Sequence, residues 1–420
     1  MNSMNNLGER IRKLRKERKM TLVDVAGDFM TKGMLSLIEN GRSNPSMESL
    51  QHIARQLDVD VHFLLEEQAS EELQQFIRSL EERIQDSERD LQLDKYKTLL
   101  KQLDQEIAEY LKMNLPATYE KGRLLEIGSR VKRGIVQKPT EESKALSQQA
   151  AAVYDQLSLF NRAYKVQLDH ALDLFLERKY EEALDFLRDK KQHYLSRTVV
   201  ADPLVQIESD YNEAVYLYAV GKNEEGTALI DELLAFTKRR SIFHQMDDIY
   251  RIAAFNSLLT GDEDKFLYYL KKSRQFAEFK ESKMEIESAQ FIEIHWLNEF
   301  KKEHNKALKM LEQIEEKSGG EDPYVYLEKG RAYFGLGEID NALKELNKLE
   351  MPKYSHHPFD LSMLNTAYAY RALCLAHKGQ WEEAMKDADL AKSAVKDFPH
   401  TPYRDFIYDT WERVHQQSLS

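Results

Sequence analysis

The first 65 residues carry apolar side chains at the spacing of four short helices. Leu7, Ile11 and Leu14 recur at intervals of four and three residues, which places them on one face of a first helix. Thr21 and Thr31 stand before the next two apolar segments and are typical helix N-caps. The inward positions of the second, third and fourth helices are Val25, Ala26, Phe29, Leu35, Ile38, Leu50, Ile53, Ala54 and Leu57. This pattern predicts a small four-helix domain over residues 1–66.

Residues 67–115 contain neither Gly nor Pro, and their charged residues alternate in sign. Such a composition is typical of long helices with one solvated side. Leu73, Ile77 and Leu80 lie on one face of the predicted helix, together with Phe76 and Ile84. Two interpretations stay open. The stripe is either the seam of a short coiled-coil dimer, or it belongs to linking helices that begin the next domain.

Between about residues 160 and 400, one sequence register returns six times at intervals of 35 to 43 residues. Each time, a turn and charged residues precede a small or apolar residue, namely Ala183, Gly226, Phe266, Ala307, Ala342 and Ala384. Twelve residues before each of these stand Ala171, Ala214, Ala254, His295, Gly330 and Ala372. Two antiparallel helices approach closely where a small side chain on one admits the other. We therefore expect residues 116–420 to form a repeat domain of helical hairpins.

The composition supports an all-α chain of more than one domain. With 420 residues it exceeds the size that a single core usually organises, and with 16 Gly and 9 Pro it has few turn-forming residues. The single cysteine, Cys374, excludes a disulfide framework, and its apolar helical surroundings predict a buried thiol. Because no apolar run approaches 18 residues, we expect a cytoplasmic protein without a membrane partner.

The net charge of −12 is unevenly distributed along the chain. Residues 1–65 hold ten Lys and Arg against eight Asp and Glu, a net charge of +2, which leaves −14 for the remainder. Residues 9–19 alone hold seven basic and two acidic side chains. A basic helix of this kind attracts phosphates and makes binding salt-dependent. The charge therefore favours nucleic acid as a partner of the first domain only.

No pattern in the sequence indicates catalysis. It has no GxxxxGK loop followed by Ser or Thr for phosphates, no HExxH or CxxC pair for a metal, and no Ser or Cys beside a recognisable base. Gly335 and Gly337 lack the third glycine of a dinucleotide-binding loop, and the His356–Pro358 segment has the composition of a loop. We therefore predict that the protein is not an enzyme and has neither a metal site nor a cofactor.

The N-terminal segment resembles the XRE/Cro-type helix-turn-helix family, which has a lambda-repressor-like fold. The residues that carry the resemblance are Thr21, Ala26, Leu35, Ile38, Glu39, Gly41, Asn44, Pro45 and Ser46. The resemblance implies that the third helix enters the major groove of double-stranded DNA, while flanking segments contact the phosphates. The implied DNA-binding residues are Thr31, Lys32, Gly33, Met34 and Ser36 toward the bases, and Arg12, Arg42 and Asn44 toward the phosphates. Leu37 stands where that family commonly has a basic residue.

The repeat region resembles degenerate tetratricopeptide repeats, with the best match at Tyr326, Gly330, Tyr333 and Ala342. The resemblance implies a right-handed superhelix whose concave face is lined by the first helix of each hairpin. Amides and aromatic rings on such a face suit an extended peptide, since an Asn side chain both donates to and accepts from a peptide backbone. The candidate peptide-binding residues are Tyr211, Asn212, Tyr218, Arg251, Phe255, Asn256, Trp296, Asn298, Arg331 and Asn365.

Both parts together are similar to the peptide-sensing regulators of Gram-positive bacteria grouped as Rap, Rgg, NprR, PlcR and PrgX, and most of all to the NprR/PlcR type. The resemblance implies a quorum-sensing transcriptional regulator. In such a protein a short signalling peptide controls DNA binding and self-association into a homodimer or larger assembly. The alternative is a protein-interaction regulator that binds a response regulator or kinase of a phosphorelay, with DNA binding secondary.

Overall fold

The computed structural model describes residues 3–59, 61–89, 93–113, 115–318, 322–352 and 355–418. Within these ranges the chain is built from helices without a β-strand, which confirms the predicted all-α class. The helices form two compact units, Met1–Leu159 and Phe160–Ser420. The helices of the first unit are α1 (Ser3–Glu17), α2 (Leu22–Ala26), α3 (Lys32–Glu39), α4 (Met47–Gln56), α5 (Val61–Arg89), α6 (Leu93–Leu111), α7 (Tyr119–Val136) and α8 (Glu141–Gln156).

Side-chain caps fix the starts of α2 and α3. Thr21 and Asp24 form a capping box, in which the Asp24 backbone N–H donates to Thr21 Oγ1 at 3.2 Å and Asp24 Oδ2 accepts from the Thr21 N–H at 2.7 Å. Thr31 Oγ1 accepts from the Met34 N–H at 3.1 Å. The N-caps predicted at Thr21 and Thr31 are thus confirmed, and α3 begins where the sequence placed it.

Apolar side chains of α1 to α4 and the start of α5 form one core, with Ile11 and Leu35 completely buried. The predicted inward position of Phe29 is wrong. This side chain is 51% exposed, and its ring stacks on His52 with centroids 4.8 Å apart. The reason is that α2 ends at Ala26, so the helical register that would turn Phe29 inward is lost.

Two basic residues of α1 belong to this core rather than to its surface. Arg10 is buried and donates from Nη1 to the carbonyl oxygen of Leu64. Arg15 donates from Nε and Nη2 to the two carboxylate oxygens of Glu39 on α3, at 2.7 and 2.9 Å. This bidentate pair ties α1 to α3. The exposed positive charge of α1 is therefore smaller than the sequence indicates.

The second half of the first unit packs around the long helix α5. Its stripe of Leu73, Ile77 and Leu80 is buried in one cluster with side chains of α6 and α7, such as Leu100 and Leu124. The stripe therefore packs within the chain, as in the interpretation of linking helices. α7 belongs to this cluster and pairs with α8, which is why the unit boundary follows Leu159 instead of lying near residue 115.

The second unit is a stack of helical hairpins. In chain order the pairs are α9 (Phe160–Leu176) with α10 (Tyr180–Leu195), α11 (Pro203–Ala219) with α12 (Asn223–Arg240), α13 (Met246–Leu259) with α14 (Glu263–Phe279), α15 (Lys283–His295) with α16 (His304–Ser318), α17 (Pro323–Gly335) with α18 (Ile339–Leu346), and α19 (Pro358–His377) with α20 (Trp381–Ala394). A π-helical turn, Trp296–Phe300, extends α15, and α21 (Pro402–Ser418) packs on α19 and α20.

The six-fold register predicted from the sequence lies on these six hairpins. In every hairpin the predicted residue of the first helix and its partner on the second helix are buried. Gly330 of α17 shows why the first helix of a hairpin has a small residue at this position. A Cβ on residue 330 would lie only 2.5 Å from Leu346 Cδ2 of α18. The residues of the predicted register therefore stand at buried positions of successive hairpins.

Candidate functional site

The helix predicted to face bases, α3, has one exposed side. Its opposite side is held by the core and by the ion pair of Glu39 with Arg15. The predicted residues on or just before α3 are exposed, apart from the half-buried Ser36; they are Thr31, Lys32, Gly33, Met34 and Ser36. The space above Gly33 is open, since a Cβ there would meet Thr31 Oγ1 at an ordinary 3.8 Å.

The three residues predicted to hold phosphates lie on α1 and in the turn after α3. Arg12 is on α1, which packs directly on α3, and Arg42 and Asn44 are in the turn between α3 and α4. All three side chains are exposed. Exposed cations beside a protruding helix form a surface that complements a polyanion. The structure thus brings the eight predicted DNA-binding residues together in one domain.

The second unit contains a cavity of about 460 Å³, a size typical of small-ligand sites. Its walls come from α11 and α13, from the start of α19, and from the loop before α21. Half of the predicted peptide-binding residues lie in these walls: Tyr211, Tyr218, Arg251, Phe255 and Asn256. A second cavity of about 440 Å³ between α12, α13 and α14 shares Tyr218 and Asn256 with the first. The two cavities therefore adjoin along α11 and α13.

Contacts between distant hairpins form one side of the larger cavity. The Tyr180 hydroxyl of α10 donates to the carbonyl oxygen of His356 at 2.6 Å, and His357 Nε2 donates to the carbonyl oxygen of Val215 on α11 at 3.2 Å. Phe359 at the start of α19 packs edge-on against Phe255 of α13, with ring centroids 5.3 Å apart. The segment before α19 therefore reaches the first hairpins of the unit and forms one wall of the cavity.

The lining combines aromatic rings with a small number of charges. Arg251 Nη2 donates to Asp248 Oδ1 at 2.9 Å, while Asp360 and Asp405 stand in the same walls. Burial raises the pKa of Tyr211 to about 12, so its hydroxyl remains a neutral hydrogen-bond donor. Burial likewise lowers the pKa of His357, which keeps the imidazole uncharged near neutral pH. Such walls suit a ligand with apolar side chains and a few polar groups.

The other five predicted residues lie outside this lining: Asn212, Trp296, Asn298, Arg331 and Asn365. Asn298 Nδ2 donates to the Glu328 carboxylate at 2.8 Å, and Asn365 Nδ2 donates to the Leu361 carbonyl oxygen at 2.7 Å. The Trp296 ring packs against Phe266, with centroids 5.4 Å apart. Trp296, Asn298 and Asn365 thus make contacts within and between the hairpins, while Asn212 lies on α11 outside the cavity wall.

Arg331 lies at the centre of a buried polar network. Its Nη1 donates to Glu328 at 2.5 Å, and its Nε lies 3.2 Å from a carboxylate oxygen of Glu299. His295 Nδ1 lies 2.9 Å from Glu328, and His295 Nε2 lies 2.6 Å from the Tyr403 hydroxyl. The network joins α15, its π-helical turn, α17 and α21. Glu328 and Arg331 stand three residues apart on α17, but His295, Glu299 and Tyr403 come from three other elements, so helical spacing along the sequence does not reveal the whole network.

Sequence reasoning missed the cavity-lining residues at the ends of α9 and α19 and around the start of α21. Phe175 at the end of α9, His357 and Phe359 at the start of α19, and Pro399 and Asp405 around the start of α21 complete the lining. The available signal was the composition of two segments, HHPF and FPHTP, in which prolines and aromatic residues replace the charged turns between other helices. Their place in the cavity wall depends on contacts with helices that are far away in the sequence, such as that of His357 with Val215.

The remaining candidate chemistry is limited. Cys374 is buried on α19, and burial raises the pKa of its thiol to about 12, as expected of a packed structural thiol. Within the part of the chain that the structure describes, no three His, Cys, Asp or Glu side chains cluster as they would around a metal ion. Across those same residues, none of the helices combines the length and the hydropathy of a membrane span.

A known family matches the start of the first unit. The helix-turn-helix family model aligns with residues 11–64, from α1 to the start of α5. This segment is a helix-turn-helix domain. Over 61 residues the chain is 48% identical to the HTH-type transcriptional regulator DdrOP3 of Deinococcus deserti. That alignment covers 14% of this chain and 47% of the relative, so the chain spans about half the length of this curated relative.

Solved structures match more of the chain, at low identity. PlcR of Bacillus thuringiensis, solved with the peptide PapR7 and DNA, aligns over 68% of this chain and 99% of its own, at 17% identity and a TM-score of 0.39. NprR, solved with its cognate peptide NprX, aligns over 65% and 78%, at 15% identity and a TM-score of 0.48. A tetratricopeptide repeat protein from Parabacteroides merdae aligns over 75% and 98%, at 13% identity and a TM-score of 0.41. At these TM-scores the likeness does not indicate what this chain binds.

Proposed function

We propose that this chain is a DNA-binding transcriptional regulator in which the helix-turn-helix domain binds operator DNA and the repeat unit binds a short signalling peptide. The observation that carries the proposal is the helix-turn-helix domain over residues 11–64, with α3 exposed along the side that its core contacts leave free. The cavity in the second unit supports the peptide part, because it gathers aromatic, amide and guanidinium side chains in one place.

In this proposal, the first unit contacts DNA in two ways. Arg12, Arg42 and Asn44 bind phosphates and set the position of the domain, while the exposed side of α3 faces base edges in the major groove. The Arg15–Glu39 pair supports this arrangement, since it holds α3 against α1 from the buried side. Exposed phosphate contacts contribute affinity that is independent of sequence and falls with salt.

Arg12→Ala and Arg42→Ala are expected to weaken binding to all duplexes alike. Each variant should reduce the slope of log affinity against log salt concentration by about 1, because one phosphate contact and its released counterion are lost. Fluorescence anisotropy with a labelled duplex over a series of salt concentrations measures this slope. Lys238→Ala, on α12 of the second unit, is the control and should leave the slope unchanged. Slopes equal to the wild-type value in both arginine variants would contradict the proposed phosphate contacts.

The peptide part of the proposal rests on the walls of the larger cavity. Asn256 and Tyr218 offer hydrogen bonds to a peptide backbone, and Phe255 and Tyr211 offer apolar surface to its side chains. Arg251 supplies one cation in a lining that also holds two carboxylates. A peptide is preferred over a smaller metabolite because the adjoining second cavity extends the site along α13.

Phe255→Ala is expected to lower peptide affinity by about tenfold or more, since an aromatic side chain in the wall of a binding site is a typical hot spot. The peptide is the one that copurifies with the protein from its host, identified by mass spectrometry and then synthesised. Isothermal titration measures its affinity for each variant. Asn212→Ala is the matched control, because Asn212 lies on α11 next to Tyr211 but outside the lining. Equal affinities of wild type and Phe255→Ala would show that the peptide binds elsewhere.

Self-association completes the proposal. Operators of helix-turn-helix proteins commonly have two half-sites, which a two-fold dimer occupies at a fixed spacing. A peptide that binds one arrangement of the repeat unit better than another shifts the population toward that arrangement, by no more than its difference in affinity. A change in the distance between two helix-turn-helix domains then changes DNA affinity without any change in α3.

A second candidate is a regulator that acts by binding another protein, such as a response regulator. It is favoured by large apolar side chains that are exposed where one hairpin connects to the next, namely Val199, Phe243, Phe279 and Met284. Successive connections of this kind lie along one edge of a hairpin stack, and exposed apolar patches often mark protein interfaces. Selection from a random duplex library separates the two candidates, since a pure protein-binding regulator enriches no sequence.

A further inference from the structure

The exposed side of α3, which the proposed function places against the bases, has few polar groups that can form hydrogen bonds to a base. Within α3, the polar side chains are Lys32, Ser36 and Glu39. Glu39 is buried and occupied by the bidentate pair with Arg15, so it does not reach a cytosine amino group. The Asn40 amide, directly after the helix, donates to the Ser36 carbonyl oxygen at 2.7 Å and caps the helix end. Bidentate hydrogen bonding to guanine or adenine, the usual source of polar discrimination, is therefore restricted on α3.

The same side carries two exposed apolar side chains one turn apart. Met34 is 47% exposed and Leu37 is 44% exposed, while Gly33 beside them adds no side chain that would hold the helix away from a partner. The Ser43 hydroxyl lies 3.8 Å from Met34 Sδ, a weak hydrogen bond that restrains this flexible side chain. These apolar groups lie on the helix of the domain that is positioned for a groove, rather than on its outer helices.

We propose that α3 reads thymine through its C5-methyl group, with Met34 and Leu37 as the specificity-determining residues. The inference rests on the proposed DNA-binding function and names the chemistry that the domain recognises. In the major groove, thymine presents an apolar C5-methyl group, which distinguishes an A·T pair from a G·C pair. Apolar side chains are the usual partners of this methyl group. Residues three apart on a helix rise by about 4.5 Å, which is within about 1 Å of the base-pair step of about 3.4 Å, so the two side chains can reach methyl groups of neighbouring pairs. Lys32 at the start of α3 supplies a flexible charge beside them.

The test removes the methyl groups and nothing else from the DNA. A duplex selected by the intact chain from a random-sequence library is synthesised with thymine and with uracil, first throughout and then at single positions. For the wild-type chain, each contacted methyl that is lost should weaken affinity about three- to fourfold. Leu37→Ala should lose less than about twofold at its own position, because the partner of that methyl is already missing. Met34→Ala should behave in the same way at the neighbouring position.

Val23→Ala is the matched control, since Val23 is also an exposed apolar residue of the domain but lies on α2. It should keep the full sensitivity to uracil. Equal affinity of the wild type for the thymine and uracil duplexes would overturn the proposal, and so would an equal loss in wild type and Leu37→Ala. If the library selection enriches no sequence at all, the DNA-binding function itself fails, and that outcome is distinct from binding that ignores the methyl groups.

Discussion

Replacing Arg331 with alanine is expected to lower the free energy of unfolding by about 3–5 kcal/mol, because it leaves the Glu328 carboxylate buried without its cation. The Arg331 side chain is 2% exposed and donates to Glu328 at 2.5 Å. Burial alone would raise the pKa of Glu328, but Arg331 and His295 together lower it to about 2. Glu328 therefore stabilises the fold at pH values above its unfolded-state pKa of about 4.3, and this contribution is lost as the pH falls toward 2.

Urea unfolding of the intact chain, followed by far-UV circular dichroism, measures the effect of Arg331→Ala. The matched control is Arg188→Ala, which also removes an arginine with two acidic partners, Glu213 at 2.7 Å and Glu225 at 3.0 Å. The Arg188 side chain is 38% exposed and Glu213 keeps Lys191 as a second cation at 2.7 Å, so the loss of Arg188 should cost no more than about 1 kcal/mol. Similar shifts in the two variants would contradict the view that the network around Arg331 holds the hairpins together.

Gly8→Ala is expected to destabilise the helix-turn-helix domain by about 3 kcal/mol and to abolish DNA binding with it. Gly8 lies where α1 crosses the end of α3. A Cβ at this position would lie 2.8 Å from the Glu39 carbonyl oxygen and closer still to that of Ile38. Since both atoms belong to the backbone, α1 must move away from α3 to make room. That movement separates Arg15 from Glu39 and disturbs the exposed side of α3.

Gly33→Ala is the matched control within the same domain. A Cβ at Gly33 has open space around it, and alanine has the higher helix propensity, so stability should stay constant or rise by about 0.5–1 kcal/mol. Thermal unfolding monitored with a probe in the first unit measures both variants. Two equal losses of stability would show that helix propensity, and not the close approach of α1 and α3, decides the result.

Local patterns in the sequence were sufficient to predict the helices and their pairing into hairpins. Thr21 and Thr31 cap helices through side chains three residues from their partners, and the buried pairs of each hairpin stand twelve residues apart. Such features depend on neighbours in sequence, so a pattern reveals them. Phe29 is the exception. Because α2 ends at Ala26, three residues earlier, the Phe29 side chain is exposed instead of buried.

The candidate sites depend on contacts that no local pattern contains. Arg331 and Asn298 were predicted to bind peptide, but both are buried by partners on other helices: Arg331 contacts Glu299 and Thr366, and Asn298 donates to Glu328. Conversely, His357 and Phe359 line the cavity because the segment before α19 meets α11 and α13, more than 90 residues earlier in the chain. In the same way, Arg10 and Arg15 count as surface charge in the sequence but are hydrogen-bonded within the core of the domain.

The two units therefore have complementary roles in the proposed regulator. The first has a stable core, an arginine–glutamate pair behind α3, and a recognition side with few polar groups. The second has a cavity bordered by contacts between its first and last hairpins, so an occupant that alters those contacts alters the shape of the unit. A ligand can control DNA binding in this way only if it binds the competing shapes with different affinity.

The most direct test of this account measures the affinity of the intact chain for its selected duplex with and without the copurifying peptide. We predict that saturating peptide changes duplex affinity by at least about tenfold, equivalent to about 1.4 kcal/mol of coupling, and that Phe255→Ala at the same peptide concentration responds far less. Duplex affinity that is identical in the presence and absence of saturating peptide would contradict the account.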